Sequence, residues 1–487
     1  MNAEVETSIT EGHLLIGGEW TPSASGQAEE IRSPYDGRVV GLAAVADLAD
    51  VEKALVAAEH GATLWRETPA HARLEVLVRA AGLVEERAGQ IAALLSAENG
   101  KTITEARGEV GRAADMIRLA GYEGTQLYGD TLPLDANRGT GQDKIGFTLR
   151  QPCGVVVAIT PFNYPSLLVL HKVAPALAAG NSVVLKPARA TPLTALALAR
   201  AFTDAGLPPG VLNVLTGAGG RIGDALVSDP RVRKVSFTGS TTVGEHIART
   251  AGVKKLSLEL GASCPVIVLP DADLEAAAEA IAAGGYINAG QVCISVQRVI
   301  AHPAIHAGLL DALVPRVQAI QLGDPASEAT RLGALISEVE ARRVEGALRG
   351  AVDRGARLLT GGERDGAVVT PAVVDGVAPD APLNQVELFG PAVAVSTAED
   401  MATAIGYANS TPYGLGAGVF TRDVSAAVQA IRQIDAGIVH INWTPLWRAD
   451  LMPYGGLKAS GIGKEGFRSA VSEMTEEKTV ILHGRPW

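Results

Sequence analysis

The chain has 487 residues, and at roughly 100–200 residues per domain this length predicts two to four domains. Hydrophobic residues make up 47% and charged residues 20%, so the chain can bury a large core and is not a disordered protein. The net charge of −11, from 42 basic and 53 acidic residues, argues against nucleic acids or anionic membrane surfaces as partners.

Neither the N-terminus nor the cysteines are typical of an exported protein. Residues 1–13 carry acidic residues early and lack the basic and then apolar segments of a secretory signal. No apolar run approaches the roughly 20 residues that a membrane-spanning helix needs. The three cysteines, Cys153, Cys264 and Cys293, are too few and too scattered for a disulfide framework or a thiolate zinc site. We therefore expect a reducing, cytoplasmic location, with no metal and no membrane partner.

The first long segment, 48–129, has Ala, Leu, Glu and Arg at helical spacing and is predicted to be mostly helical. Segment 131–150 contains Gly and Asp turn-formers and then an alternating stretch, which predicts a hairpin projecting from the main body. From residue 153 onward, β-rich runs alternate with Ala- and Leu-rich helical stretches at 166–179 and 192–205. The five strands predicted there are 153–159, 182–186, 211–215, 233–237 and 256–260.

This alternation of strands and helices predicts crossover units around a parallel sheet, with helices on both faces. Ligands of such sheets bind beyond the carboxyl ends of the strands. A second alternation follows, with strands at 265–269 and 296–300 and a helix from about residue 272, and a last strand is predicted at 478–484. The fold class expected from the pattern is therefore α/β.

Cys293 is the first candidate for chemistry. It lies in Gly290-Gln291-Val292-Cys293-Ile294-Ser295, directly after a predicted helix. A cysteine in a tight turn that contains glycine can present an accessible thiolate and point its backbone N–H into the same space. The alternative is a buried structural cysteine, which is the commoner role of a lone cysteine. These residues alone leave both interpretations open.

Glu259 is the second candidate, because it places a carboxylate at the end of an otherwise apolar strand, Leu256–Leu260. In partly apolar surroundings the pKa of a carboxyl group rises, and the group can act as a base near neutral pH. The alternative is an edge residue that faces solvent, and the strand alone does not decide between them.

Three further stretches follow predicted strands. After the first strand, the prolines of the 160–165 segment fix a turn in which the Asn163 amide can donate to a developing oxyanion, although asparagine is also an ordinary turn residue. Lys186 ends the second strand and points towards the ligand crevice, although many such lysines are merely solvated. Gly239 and Ser240 open a helix whose N–H groups can approach a pyrophosphate. Since strand ends in one sheet converge, these features support one another.

Seven stretches in order resemble the NAD(P)-dependent aldehyde dehydrogenase superfamily along essentially the whole chain. They are ITPFNYP (159–165), LKPARATP (185–192), FTGST (237–241), LELGA (258–262), GQVCIS (290–295), ELFGP (387–391) and MPYGGLKASGIGKEG (452–466). The C-terminal stretch is most similar to the subgroup of lactaldehyde, non-phosphorylating glyceraldehyde-3-phosphate and phosphonoaldehyde dehydrogenases.

The resemblance implies a fold with a Rossmann-like parallel-sheet cofactor domain, an α/β catalytic domain and a small β oligomerisation arm. The implied boundaries are 1–130 and 151–261 for the cofactor domain, 262–472 for the catalytic domain, and 131–150 and 473–487 for the arm. In the family this arm builds a homo-oligomer, so we expect a dimer or a dimer of dimers.

By this resemblance, Cys293 is the nucleophile, Glu259 the general base and Asn163 an oxyanion-hole donor. The implied reaction oxidises an aldehyde to its carboxylate through a thiohemiacetal and a thioester on the cysteine, and the glutamate favours hydrolysis of the thioester. NAD or NADP is the implied cofactor. The residues implied to bind it are Ile159, Thr160, Pro161, Phe162, Lys186, Arg189, Gly239, Ser240, Glu387 and Phe389.

Arg189 departs from the pattern of many NAD-preferring relatives, which carry a glutamate after the Lys-Pro-x unit. A carboxylate would repel a 2′-phosphate, whereas an arginine can pair with one. The sequence therefore predicts use of NADP, favoured over NAD. The alternative is that Arg189 points to solvent and that both cofactors bind.

The substrate tunnel is a second departure. Matching the motifs places Arg448 and His171 where relatives that oxidise apolar aldehydes have aromatic residues, while Tyr164 and Tyr454 remain aromatic. A desolvated arginine is costly unless an anion meets it. We therefore expect a small aldehyde with an anionic or strongly polar tail, anchored by Arg448.

Arg107, on a helix that borders the tunnel in relatives, is a second candidate anchor. The alternative for Arg448 is an ion pair with Asp450 that never touches substrate. The expected order of substrates is a phosphonate- or phosphate-bearing aldehyde, lactaldehyde and then succinate semialdehyde. Two competing functions are a thiol esterase side activity, which needs no cofactor, and a binding protein without turnover.

Overall fold

The structure is a computed structural model that describes residues 12–484. The N-terminal interpretation and the parts of the predicted domain segments that fall on residues 1–11 and 485–487 lie outside these described residues. Between residues 12 and 484, no helix is both long and apolar enough to cross a membrane. The predicted domain boundaries stay a prediction, and the arrangement of sheets is as follows.

The N-terminal part of the chain forms short strands and then consecutive helices. The strands are β1 (Leu14–Ile16), β2 (Glu19–Thr21), β3 (Ala28–Arg32) and β4 (Val39–Ala44). The helices are α1 (Leu48–Glu67), α2 (Ala70–Glu86), α3 (Ala88–Asn99) and α4 (Ile103–Gly124). The helical prediction for 48–129 is therefore confirmed.

The next segment contains the predicted hairpin and the predicted crossover units. The elements are β5 (Thr131–Leu132), β6 (Lys144–Pro152), β7 (Val155–Ile159), α5 (Leu167–Ala178), β8 (Ser182–Lys186), α6 (Pro192–Asp204), β9 (Leu212–Val214), α7 (Gly219–Ser228), β10 (Val232–Thr238), α8 (Thr241–Thr250) and β11 (Lys255–Glu259). The five predicted strands are all present, with ends that differ from the prediction by at most about two residues, as is usual for strand boundaries.

The C-terminal half alternates again. Its first elements are β12 (Cys264–Val268), α9 (Leu274–Tyr286), β13 (Val296–Ala301), α10 (Pro303–Gln318), α11 (Glu338–Val352), β14 (Arg357–Thr360), β15 (Arg364–Asp365), β16 (Val368–Val369) and β17 (Ala372–Asp375). They are followed by α12 (Pro382–Gln385), β18 (Ala392–Thr397), α13 (Met401–Asn409), β19 (Gly416–Phe420), α14 (Val424–Gln433), β20 (Ile438–Ile441), β21 (Gly461–Ile462), α15 (Phe467–Glu473) and β22 (Thr475–His483).

Two large sheets organise the molecule. The first has the order β2-β1-β9-β8-β7-β10-β11-β21, and its strands from β9 to β11 run parallel. The second has the order β14-β17-β18-β13-β12-β19-β20 and is parallel from β17 to β20. The central strands are continuous apolar runs because helices cover both faces of each sheet. The α/β prediction is confirmed.

The predicted hairpin is part of a third, smaller sheet with the order β22-β6-β5. β22 pairs antiparallel with β6 from Thr475 opposite Pro152 to His483 opposite Lys144. Ile145, Leu149, Ile481 and Leu482 on these strands are exposed.

The carboxyl ends of the parallel strands in the first sheet converge. Ile159 at the end of β7 pairs with Lys186 at the end of β8, and Thr238 at the end of β10 pairs with Glu259 at the end of β11. Three of the positions chosen from the sequence, Ile159, Lys186 and Glu259, therefore share one sheet edge. The 287–293 segment, which follows α9 of the second half, meets this edge at Glu259.

Candidate active site

Cys293 is a free cysteine at the end of a short irregular turn between α9 and β13. Asn288 and Ala289 have positive φ angles of 50° and 52°, and Gly290 follows at 71°. The N–H of Asn288 donates to Glu105, 2.6 Å away, and this carboxylate also caps the N-terminus of α4. A Cβ at Gly290 would lie 2.0 Å from the carbonyl oxygen of Gly390, so glycine alone fits this approach.

The sulfur of Cys293 contacts two polar side chains. Its Sγ lies 3.2 Å from Oε1 of Glu259 and 3.1 Å from the hydroxyl of Tyr454. Burial raises the pKa of the thiol well above its ordinary value, and the nearby Glu259 charge adds to this. Burial, followed by the charge of Glu465, also raises the pKa of Glu259. The resting thiol is therefore neutral and has a carboxylate within reach that can accept its proton.

Asn163 lies on the same cavity, in the turn that follows β7. Its Nδ2 donates one hydrogen to the carbonyl of Gln291, 2.8 Å away, which ties the turn to the cysteine segment. The amide has a second hydrogen on this nitrogen. The backbone carbonyl of Asn163 accepts from Nζ of Lys101 at 2.8 Å, and Lys101 forms a buried ion pair with Glu109. Sequence reasoning missed this supporting lysine and glutamate, because neither lies in a recognisable motif.

A buried ionic cluster lies behind Glu259. Nζ of Lys172 donates to Oε1 of Glu465 at 2.9 Å, and Arg448 lies 3.6 Å from the other carboxylate oxygen. Burial alone would raise the pKa of Glu465, but the charges of Lys172 and Arg448 outweigh it and hold the pKa at about 2. Glu465 is therefore an anion that keeps two cations beside the proposed base.

The cavity in front of Cys293 has a volume of about 100 Å³, which is small. Its polar lining includes Arg112, His171 and Arg448, and Tyr164 and Tyr454 supply aromatic surface. Burial lowers the pKa of His171 well below its ordinary value, so this imidazole is neutral. The arginines therefore supply the positive charge that faces the cavity.

Among the described residues Arg448 faces Glu465 rather than Asp450, so the partner named in the sequence alternative is wrong, while the contact of Arg448 with substrate stays a prediction. The Arg448 guanidinium lies 3.8 Å from the centre of the Tyr454 ring and 3.5 Å from Nδ1 of His171, and its side chain is 11% exposed. Asp450 instead forms an ion pair with Arg112.

Arg107 is not brought into this cavity. Its side chain is 57% exposed and pairs with Glu328 at 2.7 Å. Arg112, on the same helix α4, lies in the cavity instead, and sequence reasoning missed it. The two positions are five residues apart, and at 100° per residue they face different directions. The sequence contains no signal that fixes the rotation of α4 against its neighbours.

The predicted cofactor residues surround the convergent strand ends. Burial lowers the pKa of Lys186 to about 8, and its Nζ donates to the carbonyl of Pro187. Burial raises the pKa of Glu387 to about 7, and its Oε1 accepts from the N–H of Ala262 at 3.0 Å. A Cβ at Gly239 would lie 2.5 Å from the ring of Phe237, so the backbone there is closely packed against the sheet.

The remaining cofactor positions lie next to these. Ser240 caps α8 through a hydrogen bond to the N–H of Val243. The rings of Phe162 and Phe389 meet edge to face, with centroids 5.9 Å apart. Ile159 ends β7, and Thr160 and Pro161 follow it; the Thr160 hydroxyl is buried without a protein partner. A buried hydroxyl without a protein partner fits a ligand that brings hydrogen-bonding groups of its own, such as a dinucleotide.

Arg189 is 65% exposed, and its Nε donates to Glu29 on β3 at 2.7 Å. The sequence analysis did not foresee the Glu29 partner, and the predicted contact of Arg189 with a 2′-phosphate stays a prediction. The charge of Glu29 partly offsets the lowering of the Lys186 pKa by burial. Glu29 therefore places a carboxylate at the border of the crevice, although the residue after the Lys-Pro-x unit is an arginine. It comes from a strand 160 positions away in the chain, which the motif could not reveal.

The site and the fold together define an NAD(P)-dependent oxidoreductase in which a cysteine thiol meets a cofactor crevice at the edge of a parallel sheet. Residues 20–480 match the model of the aldehyde dehydrogenase family, and the chain belongs to that family. The reaction of this family is the oxidation of an aldehyde to a carboxylate with reduction of NAD(P).

Three similar proteins carry further information. A 3-sulfolactaldehyde dehydrogenase from Priestia aryabhattai is 42% identical over 98% of this chain and 99% of its own. An NADP-dependent glyceraldehyde-3-phosphate dehydrogenase from Bacillus halodurans C-125, solved with NADP, has a TM-score of 0.95 at 36% identity, over 97% of this chain and 99% of its own. An aldehyde dehydrogenase from Physcomitrella patens, solved with the reaction product succinate, has a TM-score of 0.94 at 34% identity, over 97% and 98%.

Proposed function

We propose that this enzyme oxidises a short aldehyde with an anionic tail to its carboxylate, through a covalent adduct on Cys293. The observation that carries the proposal is the 3.2 Å contact between the Cys293 sulfur and Glu259, in a cavity that Arg112 and Arg448 also line. The base can activate the thiol for attack on the aldehyde carbon, and the arginines can bind the anionic tail.

The first step is proton transfer from Sγ of Cys293 to Glu259, which breaks the S–H bond and leaves a thiolate. The thiolate bonds to the carbonyl carbon, and the carbonyl oxygen becomes an oxyanion. The second hydrogen on Nδ2 of Asn163 and the backbone N–H of Cys293 are the donors proposed for it. Loss of one such donor typically lowers the rate by about 10²–10³.

An aldehyde has no leaving group, so the adduct can become a thioester only when its hydrogen leaves as hydride. A bound nicotinamide cofactor supplies the acceptor for that hydride. The residues proposed to hold it are Lys186 and Glu387 at the ribose and Gly239 and Ser240 at the pyrophosphate. In this role Lys186 and Glu387 would form hydrogen bonds with the ribose hydroxyl groups in a largely buried environment.

Glu259 then acts a second time. It first releases to solvent the proton that it received from Cys293, then takes a proton from water, and the resulting hydroxide attacks the thioester carbon. The C–S bond breaks, the acid product loses its proton to solvent and leaves as the carboxylate, and Glu259 returns its proton to the Cys293 thiolate. The raised pKa of Glu259, caused first by burial, suits a group that must accept a proton twice near neutral pH.

Three features support an anionic tail. The cavity is small, at about 100 Å³, and two arginines line it. Two of the three relatives are named for sulfolactaldehyde and glyceraldehyde 3-phosphate, and the third was solved with its reaction product succinate; each of these compounds carries an anionic group on a short chain. The proposed substrates are therefore short aldehydes with a sulfonate, phosphate, phosphonate or carboxylate tail, with lactaldehyde as the neutral comparison.

NADP is the cofactor we propose to be favoured, with NAD accepted. Arg189 is exposed near the crevice, and a 2′-phosphate would compete with Glu29 for its guanidinium. The preference for NADP over NAD is expected to be modest, because the Glu29 carboxylate remains beside the 2′-phosphate.

A homo-oligomer and a cytoplasmic location complete the proposal. The exposed apolar residues on the β22-β6-β5 sheet, Ile145 and Leu149 among them, favour burial against another copy of the chain. The three unpaired cysteines favour a reducing compartment.

The test is a measurement of NADPH and NADH production over aldehydes of equal length that carry neutral, carboxylate, phosphate, phosphonate or sulfonate tails. An anionic aldehyde should have the highest kcat/KM, and Cys293→Ser should abolish turnover of all of them. A neutral aromatic aldehyde that exceeds every anionic one would contradict the substrate class. Turnover by Cys293→Ser would contradict the mechanism.

A further inference from the structure

Tyr454 lines the cavity and also contacts the proposed nucleophile, Cys293, directly through its hydroxyl. Its ring is 1% exposed, its hydroxyl lies 3.1 Å from Sγ of Cys293, and its N–H and C=O both pair with the backbone of Glu465. The guanidinium of Arg448 covers one face of the ring, 3.8 Å from its centre. The hydroxyl is therefore held against the sulfur by backbone pairing, packing and a cation–π contact.

The direction of the hydrogen bond follows from the proton count. The thiol has one hydrogen, and with Glu259 ionised this hydrogen points to the carboxylate at 3.2 Å. Towards Tyr454 the sulfur can then only accept, so the phenol donates. Burial, followed by the charges of Cys293 and Glu259, raises the pKa of Tyr454 well above its ordinary value. The phenol therefore keeps its proton and remains a donor.

We propose that Tyr454 is a catalytic residue whose hydroxyl stabilises the thiolate of Cys293 by a direct O–H···S⁻ hydrogen bond. When the S–H proton moves to Glu259, the O–H bond of Tyr454 stays intact and its hydrogen bond strengthens as charge grows on sulfur. When the thioester C–S bond breaks, the same hydroxyl donates a hydrogen bond to the thiolate that forms on Cys293. Tyr454 therefore assists both formation and release of the acyl group, and this inference rests on the proposed role of Cys293 as the nucleophile.

The test is the pH dependence of Cys293 alkylation by iodoacetamide in the full-length enzyme without cofactor or substrate. Mass spectrometry assigns the label to Cys293, and Cys293→Ser gives the background from Cys153 and Cys264, which are buried. Tyr454→Phe removes one oxygen atom and keeps the buried ring. Its alkylation midpoint should rise by about one pH unit or more, and the rate on the acid side should fall about tenfold.

A second feature of the profile separates this role from a structural one. A thiolate without the hydrogen bond is more basic and therefore more nucleophilic, so the alkaline plateau of Tyr454→Phe should equal or exceed that of the unsubstituted enzyme. Tyr164→Phe is the matched control, because Tyr164 lines the same cavity, and among the described residues the hydrogen bonds of the sulfur go to Glu259 and Tyr454 rather than to Tyr164. Its midpoint should stay in place.

An unchanged midpoint in Tyr454→Phe overturns the proposal, and so does a rate that falls equally at every pH, which would report damage to the site. An equal midpoint shift in Tyr164→Phe also overturns it, because the effect would then be general to the cavity. The alkylation result does not depend on the aldehyde. A shifted midpoint in an enzyme that oxidises none of the proposed aldehydes would leave this inference standing and contradict the proposed function.

Discussion

Arg112 of α4 forms an ion pair with Asp450, which lies two residues after Arg448 in the chain. Arg112 is 43% exposed and lines the cavity, whereas Arg448 is mostly buried against Tyr454 and Glu465. Of the two cations, Arg112 is therefore the freer to exchange its carboxylate partner for the anionic tail of a substrate.

The first prediction concerns Arg112→Gln, which should raise KM for an anionic aldehyde and leave KM for a neutral aldehyde of equal length unchanged. A charge-assisted hydrogen bond contributes about 1.5–3 kcal/mol, so the increase should be about tenfold or more. Arg107→Gln is the matched control on the same helix, since Arg107 pairs with Glu328 outside the cavity. Equal increases for both aldehydes would show that Arg112 does not bind the tail.

The second prediction concerns pH. Glu259 must be ionised to accept a proton, so kcat/KM should fall as the pH decreases through its pKa. Burial raises that pKa, so this decline should lie at higher pH than for an ordinary carboxyl group. Glu259→Gln should lower kcat by about 10²–10⁴ and remove the decline. The exposed Glu328→Gln should leave the profile unchanged, and an acid decline that persists in Glu259→Gln would assign it to another group.

The third prediction tests the cysteine turn. Gly290→Ala should lower the melting temperature and the activity, because the left-handed backbone costs about 1–3 kcal/mol and the new Cβ would overlap the carbonyl of Gly390. Gly108→Ala is the control, in an exposed helical position with open space around it, and should stabilise by about 0.5–1 kcal/mol. Calorimetry and turnover check both variants, and a Gly290→Ala enzyme as stable as the parent would contradict the argument.

Local patterns were sufficient to predict the parallel strands, whereas the meeting of Cys293 with Glu259 was expected from the family resemblance. The strands are continuous apolar runs, and Lys186 and Glu259 each end a parallel strand, so topology alone brings these strand-end residues to one edge. The roles of these residues came from motifs rather than from geometry. The predicted helical stretches were likewise confirmed because their periodicity extends over several turns.

Contacts between distant segments were not predictable in the same way. Arg107 and Arg112 are equivalent on α4 until packing fixes the rotation of the helix, and only the structure shows that Arg112 faces the cavity. Glu29 meets Arg189 across 160 positions of the chain. In both cases the partner lies in another element, and neither spacing nor motif contains that information.

The fourth prediction concerns the cofactor. Glu29→Gln should free Arg189 and remove a negative charge beside the proposed phosphate site, so KM for NADP should fall by a few fold, while KM for NAD should change little. Arg189→Ala should raise KM for NADP by about tenfold. Both are measured with the same aldehyde at saturation. Equal changes for NADP and NAD in either variant would contradict contact with the 2′-phosphate.

The fifth prediction concerns the buried pair of Lys172 and Glu465. The pKa of Glu465 is lowered from 4.5 to about 2 by the charges of Lys172 and Arg448, which outweigh the opposing effect of burial. Its contribution to stability is therefore present above its ordinary pKa and is lost as the pH falls from about 4.5 towards 2. Thermal unfolding measured across this range should show the loss.

Glu465→Gln should remove this pH dependence and destabilise the enzyme by about 3–5 kcal/mol at neutral pH, because it leaves the buried Lys172 without its anion. The double variant Lys172→Met with Glu465→Gln should recover part of the stability, since no lysine charge is then left unpaired. It should not recover full activity, because the charges that act on Glu259 change with both residues. A double variant less stable than Glu465→Gln alone would contradict the assignment of the loss to an unpaired lysine.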